Sequence, residues 1–421
     1  MLLRFEVSNH RSILESVELS MVAVDEGRPA ARSFELLSEK VLTVAGVFGS
    51  NASGKSNVLD AIAWLSEAVR TSLRGWDDEV PRDPHRFGPG PTSPTEFELD
   101  IVVDAVRHQY RLEVDTAVRY ESLHSYPKRK RRMLFEREGE DIEFRDGYKQ
   151  GGGVRDLLTP TTLALSAAIR LDREHVGRVG RAVSGFHVLG LRRPRWRRNP
   201  PSFRDEIRTS SLRLFEEQYE DHQLPLPELD GGTPRPTTLL QLVDPGIDTV
   251  EFLPAGDDDQ LGRGYRIRFV HSAGDEPVGF TLEQESAGTQ AWFRLIGPVL
   301  WALSDGGILV FDEIDASLHP RLSAQIIQLF QDPETNPRGA QLIFTTHDVS
   351  LLNHLNRDEV WLTEKNDEGM SQFVALVEYS GERVRKSINL ERAYLQGRFG
   401  AVPQVDQISV RRALGLVDST S

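Results

Sequence analysis

The sequence predicts an α/β fold: a mixed sheet with flanking helices, an antiparallel β subdomain beside it, and a helical insertion dividing the chain into two lobes. Three observations carry this. An apolar run at 41–48 leads into Gly49-Ser50-Asn51-Ala52-Ser53-Gly54-Lys55-Ser56, and Val58, Ile62, Leu65 and Val69 follow at near-helical spacing. Strand, glycine loop and helix in that order form the context in which such a loop binds phosphate. Two further apolar runs end in polar residues: 307–311 in Asp312-Glu313, and 341–344 in Thr345-Thr346-His347. That is the pattern of buried parallel strands delivering side chains to their carboxyl ends. Strand-like runs at hairpin spacing (97–103, 109–114, 120–123, 132–135) supply the antiparallel part.

In chain order, residues 2–7 alternate as a strand, 8–12 interrupt it, and 17–24 read as a second strand feeding the loop strand. The helix expected over 57–72 gives way to a loop rich in Pro, Gly and Asp at 77–94. Gly151-Gly152-Gly153 marks a break. Beyond it, 163–183 and 211–219 look helical between proline-rich connections, and the stretch reads as an insertion. Strand patterns return at 250 and 265–270, then helices and strands alternate to about 378, with a last helix expected at 406–416. The expected units are 1–154, an N-terminal lobe with the phosphate loop and β subdomain; 155–242, the helical insertion; and 243–421, a C-terminal lobe.

Composition bounds the function. At 421 residues the chain exceeds one ordinary domain, and 39% hydrophobic with 27% charged residues is ordinary for a water-soluble protein. No apolar run approaches the ~20 residues of a membrane helix, and the N-terminus lacks a basic segment followed by a long apolar one. The expectation is a cytoplasmic protein without a membrane partner. The absence of cysteine excludes disulfides, thiolate zinc sites and cysteine nucleophiles. A net charge of −14 argues against wholesale coating of nucleic acid. Two basic runs stand against that background: Lys128, Arg129, Lys130, Arg131 and Arg132; and Arg192, Arg193, Arg195, Trp196, Arg197 and Arg198. Guanidinium groups with an aromatic suit phosphate contacts and base stacking, yet equally an acidic protein partner or a merely solvated face.

The chemistry assigned to the loop is nucleotide binding. Backbone N–H groups of Gly49 to Asn57 close around phosphates at a positive helix end, Lys55 reaches the β- and γ-phosphates of ATP, and the Ser56 hydroxyl ligates Mg²⁺. Asp312 holds the same ion through water, and Glu313 polarises the water that attacks the γ-phosphate. His347 at a strand's edge can hydrogen-bond a γ-phosphate oxygen; as a lone histidine it is otherwise structural. Ser286-Ala287-Gly288 opens a helix whose apolar residues Trp292, Leu295, Ile296, Val299 and Leu303 share one face. It reads either as a second anion site or as a plain N-cap.

Taken in order, phosphate loop, Ser-x-Gly helix start, Asp-Glu strand and histidine strand resemble the motif set of ABC-type ATPases, in the SMC and RecF branch whose head is split by an insertion. The segments at 7–13, 285–289, 312–320 and 394–403 resemble more narrowly the RloA and AbiL-type abortive-infection ATPases, relatives of the PARIS, Septu and OLD-type defence ATPases. The resemblance implies a homodimer, or higher even oligomer, with ATP sandwiched between heads. By position, Ser286 and Gly288 would meet the γ-phosphate held by the partner's loop, Glu313 would be the base, His347 the switch, and residues 315–319 would lie on the seam. Arg11 would reach the phosphates from the first strand turn. The signature departs from the transporter pattern at Glu285, Ala287 and Thr289, which argues against a transporter motor. Gln109, inside a strand-like run, is no metal-sensing glutamine, so that ligand is unassigned. The stretch after His347 is too short for the TOPRIM nuclease domain of OLD proteins. The resemblance thus implies an anti-phage defence ATPase controlling a separate nuclease or toxin, TOPRIM-like or otherwise, with a RecF-like DNA clamp as the alternative.

Overall fold

The computed structural model describes residues 1–33, 38–76, 78–145, 148–191, 211, 236–254, 265–273, 276–316, 318–379, 389–399, 411 and 414. Two sheets organise them. The first is antiparallel, in the order β10 (Asp141–Phe144), β9 (Arg132–Glu138), β8 (Val118–Ser125), β7 (Val106–Val114), β6 (Thr95–Val103), β1 (Leu2–Ser8), β2 (Val17–Ser20). The second runs β11 (His187–Leu189), β15 (Ile308–Phe311), β16 (Gln341–Thr345), β5 (Val44–Gly49), β17 (Val360–Lys365), β18 (Ser371–Ala375), and every pairing in it is parallel except β17 with β18. Smaller pairings join β3 (Ala31–Arg32) to β4 (Val41–Leu42), and β12 (Ile247–Pro254), β13 (Tyr265–Ala273) and β14 (Glu276–Phe280) to one another.

The parallel strands are apolar on both faces because both are covered. Successive side chains alternate across a strand. Ala45, Val47, Val310 and Ile343 therefore enter one core with helix α1 (Lys55–Gly75) and the antiparallel sheet, while Val44, Phe48, Leu309, Leu342 and Phe344 enter another with α5 (Pro236–Gln241), α6 (Ala287–Asp305) and α7 (Pro320–Gln331). Helix α1 lies in the first core, in contact with both sheets. Its Trp64 stacks on Phe97 of β6 with ring centroids 4.7 Å apart, and the indole donates to the Pro81 carbonyl at 2.7 Å. That packing fixes the direction in which the helix leaves the phosphate loop.

Several elements differ from the sequence expectation for local reasons. The loop strand divides at Thr43 into β4 and β5, and β2 stops at Ser20. Gly151–Asp156 forms a short helix, α2, where a break was expected. The helix expected over 163–183 is two, α3 (Ala164–Leu171) and α4 (Val176–Ser184), because the Asp172 carboxylate accepts the N–H groups of Glu174, His175 and Gly177 at 2.9–3.2 Å and turns the chain. Both helices pack on α1, and β11 then pairs with β15. Buried Glu121 anchors α3 by accepting from Ala164 N and Leu165 N at 2.7 and 2.9 Å, and its own burial pushes its pKa up. Residues 155–191, expected to open the insertion, thus include two helices on α1 and a strand of the parallel sheet. Helix α6 carries the five apolar residues anticipated and also buries Phe293, Leu300 and Trp301. The expected helices at 211–219 and 406–416, and the basic run at 192–198, lie outside the described residues apart from Ser211, Arg411 and Leu414. Among the described residues no helix is long and apolar enough to cross a membrane.

Candidate functional site

Because β15, β16, β5 and β17 are parallel, their carboxyl ends share one edge: Phe311 is level with Phe344, Thr345 with Val47, and Gly49 with Thr363. Most of the expected chemistry gathers there. Lys55 is buried and its Nζ donates to the carbonyls of Gly49 and Ser50 at 2.9 and 3.0 Å, with His347 Nδ1 at 3.4 Å. Desolvation pulls the Lys55 pKa below its ordinary value, against the opposing charges of Glu313, Asp312 and Asp315. One buried hydroxyl organises the acids: Thr345 Oγ1 donates to Asp312 Oδ1 at 2.6 Å and accepts from the Glu313 N–H at 2.7 Å. Glu313 adopts a left-handed backbone, φ 56°, and its half-exposed carboxylate lies 3.8 Å from His347 Nε2. Asp315 closes the circuit, its Oδ1 accepting from Thr346 Oγ1 at 2.8 Å and from the His347 N–H at 3.2 Å.

The loop is braced from residues that carried no role in the sequence. Ser53 Oγ and Thr363 Oγ1 are 2.5 Å apart, Ser371 Oγ donates to the Ser53 carbonyl at 2.6 Å, and Ser12 bonds both Ser371 and Asn57. Such contacts join the first strand turn to β18 through hydroxyls scattered over 359 positions, a relation that no local pattern displays. Gly54 is where this bracing is tightest. Its φ is 106°, and a Cβ there would meet Ser371 Oγ at 2.0 Å. Gly54→Ala is therefore expected to lower stability by about 2 kcal/mol or more and to loosen the loop. A thermal unfolding midpoint equal to that of the unmodified protein would contradict this.

A family profile described as "AAA domain, putative AbiEii toxin, Type IV TA system" matches residues 44–353, about three quarters of the chain. The chain belongs to this family. The matched span begins at the first residue of β5 and includes the phosphate loop, the Ser286 turn, the Asp312-Glu313 strand end and His347. The AAA assignment makes it a P-loop ATPase domain, in keeping with the mixed sheet described above. No curated protein is significantly similar to the chain. Solved structures that resemble it include an Smc head bound to the C-winged helix domain of ScpA (15% identity, TM-score 0.42, covering 91% of this chain and 98% of that one). Others are an SMC head domain from Thermotoga maritima (13%, 0.39, 89% and 98%) and an Smc head with coiled coil and joint derived from Pyrococcus yayanosii (13%, 0.41, 93% and 98%).

The remaining expected residues of this AAA-family domain are placed as follows. Ser286 caps α6, its Oγ accepting from the Thr289 N–H at 3.1 Å, while Glu285 pairs with His271 at 2.8 Å and Thr289 Oγ1 donates to Asp244 at 3.4 Å. Ser286 is exposed, and among the described residues no hydrogen bond or ion pair joins it or Gly288 to the loop of the same chain. Arg11, expected at the phosphates, has its guanidinium directed to Asp60 Oδ1 at 2.9 Å and to Asp83 at 3.6 Å, and His10 takes the other Asp60 oxygen at 2.8 Å. In this arrangement Arg11 fastens the first strand turn to α1. Gln109 lies in β7, bonded to Glu98 and Tyr126. Lys128 to Arg131 form an exposed turn between β8 and β9, and Arg132, also exposed, opens β9.

Proposed function

We propose that the domain binds and hydrolyses ATP at this edge, that two heads close on the nucleotide, and that the cycle controls a separate nuclease or toxin in anti-phage defence. The observation that carries the reading is the Thr345 hydroxyl, which holds Asp312 and Glu313 in one orientation opposite Lys55 and His347. Each group then has a task. The loop N–H groups and Lys55 take the phosphates, Glu313 takes a proton from the attacking water, and His347, bridging Lys55 and Glu313, is placed to respond to the γ-phosphate. Ser56 and Asp312 offer the hard oxygen donors that suit Mg²⁺, which supplies charge neutralisation at the phosphates when bound.

The dimer rests on Ser286: an exposed hydroxyl at the N-terminus of a 19-residue helix, bonded among the described residues only within its own turn, presents a positive end outward. Ser286→Arg is expected to spare ATP affinity while suppressing turnover at least about tenfold, since the bulky cation holds the partner's nucleotide off. Calorimetry and phosphate release measure the two effects. Normal turnover by a variant shown monomeric by light scattering would sink the shared site.

The defence role rests on the RloA- and AbiL-like motifs in the sequence; the family's description names a putative toxin of a toxin–antitoxin system. Its test is whether the protein locked in its ATP state co-purifies with the product of a neighbouring gene, and whether that product becomes active on release. The exposed Lys128–Arg132 run favours a second reading, a DNA clamp. ATP hydrolysis stimulated by duplex DNA and lost on neutralising Lys128, Arg129 and Lys130 would select it.

A further inference from the structure

One cluster of metal-ligating side chains has no task in the proposed function, and it lies directly before Ser286 in the chain. Strand β12 follows the turn at Asp244, and its first residue, Ile247, stands opposite His271 of β13. Strand β14 returns along β13, and a one-turn helix at 282–284, closed by a capping box between Thr281 and Gln284, leads to Glu285. Three residues from separate stretches meet in this way. Asp244, His271 and Glu285 each offer one atom able to bind a metal ion, and the three atoms lie within 4.8 Å of one another.

The bonding around the cluster leaves donor capacity unused. The His271 ring is held edge-on by Phe280, with centroids 5.1 Å apart, and its Nε2 lies 2.8 Å from Glu285 Oε1. Asp244 Oδ1 accepts from the Gly246 N–H at 3.1 Å, while Oδ2 has only the 3.4 Å contact with Thr289 Oγ1. The Glu285 side chain is 5% exposed, yet among the described residues nothing but His271 bonds its carboxylate. Among the same residues no lysine or arginine forms an ion pair with Glu285 or Asp244. Two carboxylates therefore share one imidazole, whereas buried charges are ordinarily paired or coordinate a metal. One imidazole nitrogen with two carboxylate oxygens is a donor set that suits zinc, and three protein ligands leave a fourth position for water.

We infer that Asp244, His271 and Glu285 form a site for a divalent transition-metal ion, Zn²⁺ being the ion its donors suit. The imidazole binds as the neutral ring, so the ion replaces the hydrogen bond between His271 and Glu285. Because Glu285 precedes Ser286, the bound ion ties the start of α6 to the three-stranded sheet. Zn²⁺ binding is measured by calorimetry on the nucleotide-free protein and on three variants. His271→Gln keeps a donor for Glu285, Asp244→Asn keeps an acceptor for the Gly246 N–H, and Asp312→Asn reports on ions drawn to the phosphate site. The unmodified protein is expected to bind one Zn²⁺ here in the micromolar range or tighter, weakened at least about tenfold in His271→Gln and Asp244→Asn but not in Asp312→Asn. Zn²⁺ should also raise the unfolding midpoint of the unmodified protein and of Asp312→Asn, and leave those of the other two where they stand without metal, even where these already melt lower. Binding only at millimolar Zn²⁺ would mark an adventitious ion and overturn the site, as would affinity unchanged in both His271→Gln and Asp244→Asn. Loss confined to Asp312→Asn would place the ion at the phosphate loop and overturn it too.

Discussion

Lys55→Ala is expected to reduce ATP affinity by about a hundredfold or more. The ammonium is buried beneath the loop and held by the Gly49 and Ser50 carbonyls, so it already occupies the position from which a phosphate oxygen is reached, with little side-chain entropy left to lose. Truncating one partner of a buried, hydrogen-bonded charge pair costs about 2–5 kcal/mol, and every 1.4 kcal/mol is tenfold in affinity. Three carboxylates face the same spot, those of Glu313, Asp312 and Asp315. Without Lys55 they would repel the triphosphate as well as leave it unpaired, which places the effect toward the upper part of that range. Loss of structure would imitate loss of binding, so the comparison needs an unfolding curve beside the titration. Helix α1 gains propensity from alanine at its first position, and a variant that melts near the unmodified protein yet binds no ATP is the expected result. ATP bound with unchanged affinity would remove Lys55 from the site.

How much of this was legible beforehand depends on whether the determinant is local. The phosphate loop, the Asp312-Glu313 strand end and His347 announce themselves because each is a short run with a fixed chemical task, and the parallel sheet follows from their apolar leads. Thr345 is different. Its hydroxyl orients both acids, but in sequence it is one polar residue at the end of a strand, and only pairing β16 beside β15 puts it against Asp312. Thr363 and Ser371 were invisible for the same reason. The two helices at 164–184 read as one in sequence because their apolar spacing continues across Asp172, whose turn depends on a carboxylate collecting three N–H groups. Arg11 shows the opposite case. Position suggested a phosphate ligand, while Asp60, one and a half turns into α1, supplies a nearer partner.

Glu313→Gln is expected to keep ATP affinity, to lower hydrolysis by about 10²- to 10⁴-fold, and to accumulate the nucleotide-bound dimer. The range is that of a positioned general base. This substitution is the cleanest one the site allows, because what holds residue 313 in place is its backbone: the N–H donates to Thr345 Oγ1 at 2.7 Å, and the left-handed φ of 56° belongs to a residue that already carries a side chain. Glutamine keeps the volume and the hydrogen-bonding carbonyl and loses only the proton-accepting charge. Asp312 stays bonded to Thr345, so nucleotide binding has no reason to fall. With chemistry blocked and binding intact, the state that ATP favours should persist, and light scattering should report a dimer with ATP and a monomer without. The carboxylate's half-exposure fits a base that must meet water on an outward face, where the second head would close over it. A variant that hydrolyses ATP at the original rate would transfer the role of base to another group. One that is inactive yet stays monomeric at saturating ATP would leave the chemistry assigned and remove the need for a second head.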